Sequence, residues 1–247
     1  MMAFDIKPEQ WAGKKKILVI LAHPDDPEFF CGATIARWCH LGHDVHYCLI
    51  TKGQRGAQDE QISDFEIENT RIAEQNAAAR SLGVSSVKFL DFMDGDLVPD
   101  LLLRAEIIRE IRLVKPDIVV TCDPLNLFPA ENRINHPDHR AAGQVVLDAV
   151  FPNAGNPRYW IEDHNHVKLE PHQVEEVWLA LTHQPNLIID VSAYFEKKVD
   201  AIICHQSQIR EEAGKFKEKY RSRWETDPED GQLKYFEKFK RIPLAIK

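Results

Sequence analysis

This chain has no excess of positive charge, no long apolar run and no paired cysteine motif, and each shortage excludes a class of protein. Lysine and arginine number 31 against 39 aspartates and glutamates, for a formal charge of −8 without any block of like charge. A duplex nucleic acid is thereby excluded as the natural partner, because affinity for it rests on neutralising phosphates with cationic side chains. The longest apolar run is Ile17 to Ala22, far short of the roughly 20 residues that cross a bilayer. The opening MMAFDIKPEQWAG has no charged segment followed by an apolar one, so the expected location is cytoplasmic. Cys31, Cys39, Cys48, Cys122 and Cys204 form no CxxC pair and lie mostly among apolar residues, the pattern of reduced core thiols. What is present, 44% hydrophobic and 28% charged residues over 247 positions, is the composition of a folded globular protein.

The apolar residues are arranged as alternating strands and helices. Lys14 to Ala22 is an apolar run without alternation, as in a parallel strand covered on both faces. A helical pattern over Gly32 to Leu41, stopped by Gly42, leads to a second strand over Asp44 to Thr51. Ser63 to Leu82 reads as a helix closed by Gly83, Ser86 to Leu90 as a strand, Asp100 to Val114 as a helix and Asp117 to Cys122 as a fourth strand. This order predicts an α/β, Rossmann-like three-layer sandwich with a mostly parallel sheet. A long polar loop, Pro124 to Asn135, precedes a helix from Pro137 to Val150. Two further apolar runs (Glu176 to Leu181 and Leu187 to Val191) and a helix over Ala193 to Cys204 follow, and Arg210 to Lys240 reads as a solvated helical surface. With no linker and no repeat, residues 1–247 are expected to form one domain, a core over 14–156 with a C-terminal elaboration over 157–247.

The first strand runs into His23, Pro24, Asp25, Asp26 and Pro27, and the loop after the fourth ends on His136, Pro137, Asp138 and His139. Both segments fall at the carboxyl edge of the sheet, where open α/β proteins bind ligands. Taken singly, each could be a polar turn or a helix cap. Together they bring three histidines and three aspartates to one edge, more than capping requires. A catalytic divalent metal with three N or O ligands and an open position is the economical explanation, since it acidifies water and polarises a carbonyl beside residues able to move protons. His40, His43 and His46 straddle a helix, its stop and a strand, so they should diverge, and His164 with His166 lacks a third ligand.

Four motifs in order, ILAHPDDPEFFCGATIARW, TKGQRG, HPDHRAAGQ and ICHQSQI, resemble the LmbE/PIG-L family of metal-dependent N-deacetylases, from residue 15 to about 210. The resemblance implies a divalent metal, usually zinc and one per chain, and removal of the N-acetyl group from an N-acetylglucosamine-containing small molecule. By motif, His23, Asp26 and His139 would hold the metal and Asp25 would be the general base. His136 would face the oxyanion with Asp138 orienting it. Arg55, Asn135 and His205 would bind substrate, with Asn132 and Arg133 as further sugar contacts on the long loop. Relatives often form homo-oligomers. The family frequently has Glu directly after HPDD, whereas here Pro27 intervenes and Glu28 follows. Three other readings stay open: an amidase of thiol-sugar conjugates, a two-metal phosphoesterase, and a non-catalytic sugar- or nucleotide-binding module. The dinucleotide form of the last is disfavoured, because no G-x-G-x-x-G follows the first strand.

Overall fold

The structure, a computed structural model, describes residues 11–57, 61–209, 211–228 and 230–245. The chain begins β1 (Lys16–Leu21), α1 (Asp26–His40), β2 (Asp44–Thr51), α2 (Asp64–Leu82), β3 (Ser86–Phe92), α3 (Leu101–Val114), β4 (Ile118–Cys122) and α4 (Pro137–Asp148). It continues β5 (Glu176–Ala180), β6 (Leu187–Asp190), α5 (Phe195–Ile203), α6 (Ala213–Arg221), β7 (Glu225–Thr226), β8 (Leu233–Lys234) and β9 (Phe236–Pro243). Local chemistry explains the helix boundaries. Ser63 and Glu66 form a reciprocal capping box at the start of α2, Asp100 caps α3 through Leu103, and Pro137 sits at the first turn of α4.

Seven strands form one sheet in the order β3-β2-β1-β4-β5-β9-β6. The first five pair in parallel, and Val19 of β1 lies between Tyr47 of β2 and Val120 of β4. Helices cover both faces: α1, α2 and α5 pack on one, and α3 and α4 on the other. That double cover is why β1 and β4 are apolar at nearly every position. The strand order reverses direction between β1 and β4, which opens a crevice beyond their carboxyl ends. All five cysteines are free thiols, and Cys31, Cys48 and Cys122 are buried. No helix among the described residues is long and apolar enough to cross a membrane.

Two expectations need correction. The described residues within 210–240, which exclude Arg210 and Glu229, are not a continuous helical surface: among them only α6 is helical, and β9 runs antiparallel between β5 and β6 inside the sheet. The sequence FEKFKRIP conceals this strand because a charged residue, Glu237, occupies an inward position, paired with Lys198 at 2.6 Å. Strands β5, β9 and β6 thus lie in the same sheet as β1 to β4. The first helix also begins at Asp26 rather than Gly32 and breaks at Cys31, whose backbone is non-helical. Glu237 accepts from the N–H groups of Ala33 and Thr34 beyond that break, at 3.2 and 2.8 Å, and Lys198 donates to the carbonyl of Phe29 before it, at 2.9 Å. The buried ion pair thus satisfies backbone groups that the broken helix leaves open.

Candidate active site

Where β1 ends, the chain turns sharply so that α1 can begin at Asp26. Asp25 takes up the turn with φ +86°, a left-handed conformation that costs a non-glycine residue about 1–3 kcal/mol and persists only when neighbours hold it. They do so here. The N–H of Asp25 donates to Oε1 of Gln75 at 2.8 Å, and Nη2 of Arg71 donates to Oδ2 of Asp25 at 3.1 Å and to the carbonyl of Pro24 at 2.6 Å. Gly53, in the TKGQRG segment, leaves room for this guanidinium: its φ is +70°, and a Cβ there would fall 2.2 Å from Nη1 of Arg71.

The second half of the site arrives on α4. Gly143 lets that helix approach the end of β4, since a Cβ at this position would lie 2.3 Å from the carbonyl oxygen of Cys122. His139 is thereby brought to Asp26, with Nε2 at 3.1 Å from Oδ1, while Oδ2 of Asp26 lies 3.5 Å from Nδ1 of His23. The other nitrogen of each ring is engaged elsewhere. Nε2 of His23 meets Asp94 and Asp138, each at 3.1 Å, and Nδ1 of His139 meets Oδ1 of Asn135 at 3.0 Å. Imidazoles anchored through one nitrogen and converging through the other on a carboxylate suit a metal centre. Donor atoms of His23, Asp26 and His139 all lie within 4.8 Å of one another, and an N, N, O set of this kind fits a divalent cation such as zinc.

The electrostatics favour positive charge at this point. Burial opposes a charge on His23, but its bonds to Asp138, Asp26 and Asp94 outweigh it and hold the imidazole well above its ordinary pKa. Burial likewise opposes ionisation of Asp26, yet His139 and His23 keep that carboxylate well below the usual range. Asp25 differs: burial dominates over the pull of Arg71 and pushes it up to about 6. His136 is lowered by burial and by neighbouring His23, so its ring is neutral near pH 7. Nδ1 of His136 accepts the N–H of Asp138 at 3.2 Å, which leaves the proton on Nε2.

Several site residues fall where the sequence reading did not put them. Asp138 does not orient His136 through its carboxylate, whose Oδ1 is 4.0 Å from Nδ1 of that ring. The carboxylate serves His23 instead and accepts from the N–H groups of Gly95 and Leu97 at 2.7 and 3.3 Å. Asn135 is buried, with Oδ1 on His139 and Nδ2 donating to the carbonyl of Asn126. His205 is 0% exposed and bonded to Glu28. Glu28 is equally buried and stands behind the site, held by Gln75. Arg55 lies on the rim, half exposed and paired with Asp96 at 2.9 Å, and Asn132 and Arg133 are exposed on the long loop.

Asp94, Arg71 and Gln75 escaped the sequence reading. Asp94 follows β3 at the same carboxyl edge, a position that alone would have nominated it. The pair on α2 is signalled by polar residues four apart on the face that turns out to be buried.

An open α/β sheet with a candidate His/Asp metal group at its topological switch point has the form of a metal-assisted hydrolytic site. Residues 18–150 match the model of the PIG-L family, described as GlcNAc-PI de-N-acetylase, and the chain belongs to that family of N-deacetylases, which are metal-dependent. It is 37% identical over 206 residues to a diacetylchitobiose deacetylase of Thermococcus kodakarensis, covering 83% of this chain and 74% of the relative. It is 32% identical over 180 residues to a 1D-myo-inositol 2-acetamido-2-deoxy-alpha-D-glucopyranoside deacetylase of Rhodococcus opacus, covering 58% of each. The fold matches the N,N'-diacetylchitobiose deacetylase from Pyrococcus horikoshii in complex with its inhibitor MPG, with a TM-score of 0.80 and 30% identity over 93% of this chain and 84% of that one.

Proposed function

We propose that this chain hydrolyses the N-acetyl group of an N-acetylglucosamine-containing saccharide or glycoside, with His23, Asp26 and His139 holding one zinc ion and Asp25 acting as general base. The observation that carries the reading is the convergence of His23 and His139 on Asp26 immediately beside Asp25, whose carboxylate is poised at about 6. The cation, when bound, supplies Lewis acidity that polarises the acetyl carbonyl and acidifies water.

The remaining steps belong to the protein. Arg71 engages Oδ2 of Asp25, which directs proton uptake to Oδ1. Asp25 removes a proton from the attacking water as its oxygen bonds to the acetyl carbon, and returns that proton to the nitrogen as the C–N bond breaks, giving the amine and acetic acid, which releases its remaining acidic proton to water as acetate. A base near 6 suits both halves of this exchange. His136, neutral and protonated on Nε2, donates a hydrogen bond to the developing oxyanion. Arg55 on the rim contacts the sugar or what is attached to it.

Acetate release from N-acetylglucosamine, its β-linked dimer and its inositol- or thiol-linked conjugates, with zinc and after chelation, tests the proposal. The likeness to the diacetylchitobiose deacetylase makes the β-linked dimer the first substrate to try. Chelator-sensitive acetate is the expected result. Release of a larger acid from a thiol conjugate, or no acetate from any member of the panel, would overturn it.

A further inference from the structure

The C-terminal motif ICHQSQI has no part in the chemistry just described, yet the structure connects it to Asp25. Nε2 of His205 lies 3.2 Å from Oε2 of Glu28, and both side chains are 0% exposed although 177 residues separate them. Gln75, also fully buried, donates from Nε2 to both oxygens of Glu28 at 3.0 and 3.1 Å. Its Oε1 accepts the N–H of Asp25 at 2.8 Å. One unbroken chain of side chains thus runs from the end of α5, through α1 and α2, to the backbone of the left-handed turn.

A carboxamide has two orientations of almost the same shape, and only its partners choose between them. Both oxygens of Glu28 accept from Nε2 of Gln75, so Glu28 selects the orientation with Nε2 facing it, and Oε1 is then forced toward Asp25. The flipped amide would set an N–H donor against the N–H of Asp25 and an oxygen against a carboxylate, two buried mismatches at once. His205 holds Glu28 from the far side. We propose that His205, Glu28 and Gln75 are positioning residues: by locking the amide of Gln75 they hold Asp25 in the strained turn from which it acts. The inference rests on the assignment of Asp25 as the general base.

The test is an exchange of the two inner groups. Gln75→Glu sets two carboxylates against each other, and a displaced turn should lower kcat at least about tenfold with KM and bound metal per chain unchanged. The double variant Glu28→Gln/Gln75→Glu restores a donor opposite every acceptor: the amide now at position 28 donates to the carboxylate now at position 75 and accepts from His205. Its kcat should recover to within about threefold of the parent. Thermal melts and metal analysis accompany each kinetic measurement. A folded, metal-loaded Gln75→Glu with parental kcat would overturn the inference, as would a folded double variant no faster than the single. If Gln75→Glu does not fold, the double variant decides alone: parental kcat supports the inference, and a folded, metal-loaded protein as slow as Asp25→Asn sinks it. Asp25→Asn is assayed in parallel, since full activity there removes the base assignment itself, whereas an inactive Asp25→Asn beside an unaffected Gln75→Glu removes only the positioning role.

Discussion

One nitrogen of His23 is shared by two carboxylates: Nε2 stands 3.1 Å from Asp94 and 3.1 Å from Asp138, which reach it from the loop after β3 and from the first turn of α4. Two acceptors on one N–H keep the ring protonated there and turn Nδ1 toward Asp26. Replacing either carboxylate by its amide should loosen that orientation without removing a proposed ligand. Asp94→Asn and Asp138→Asn are each expected to weaken zinc affinity by about 10–100-fold, measured by competition with a chromogenic chelator. Asp138→Asn should have the larger effect, because Asp138 also accepts from the backbone of Gly95 and Leu97.

Asp25 and His136 are proposed to act on the substrate rather than to hold the cation, and the two roles separate experimentally. Asp25→Asn and His136→Ala should retain parental metal content while kcat falls by about 10²–10⁴-fold and 10²–10³-fold respectively. His139→Ala, by contrast, should lose the metal. Elemental analysis beside steady-state acetate release distinguishes these outcomes, and loss of metal from Asp25→Asn would contradict the assignment.

Lys198 and Glu237 form an ion pair with side chains 1% and 3% exposed. Removing one partner leaves a charge uncompensated in the core, at a cost of about 3–5 kcal/mol. Lys198→Met is therefore expected to lower unfolding stability by that amount in urea denaturation. The double variant Lys198→Met/Glu237→Leu should recover only part of it, because Glu237 also caps Ala33 and Thr34.

Glu176 on β5 meets Arg241 on β9 through both carboxylate oxygens, with Oε2 at 2.7 Å from Nε, and Oε2 also accepts from Trp178. Burial opposes its charge, but these bonds hold the carboxyl below its ordinary range. A depressed folded-state pKa stabilises the protein above the unfolded value, and the benefit disappears as pH falls through the lower folded value. Glu176→Gln should accordingly melt below the parent at pH 7, with the gap closing as the pH drops beneath the ordinary carboxylate range. Melting curves across that interval check the sign, and a gap that widens on acidification would contradict it.

The amino-acid sequence by itself determined the alternation of strands and helices, the sheet edge to which HPDD and HPDH are delivered, and the glycines of TKGQRG and HPDHRAAGQ. These are local properties: an apolar run that turns polar at a proline, a capping serine, a residue with no Cβ. Tertiary structure decided which groups meet. His23 and Asp138 lie 115 residues apart and Glu28 and His205 lie 177 apart, so no spacing announces that Asp138 serves His23 rather than His136, or that His205 is buried behind the site. The same holds for β9, where an inward glutamate reads as surface until Lys198 is seen opposite it. A charged side chain belongs in a core only when its partner is also there, and that partner is supplied by the fold, not by the neighbouring sequence.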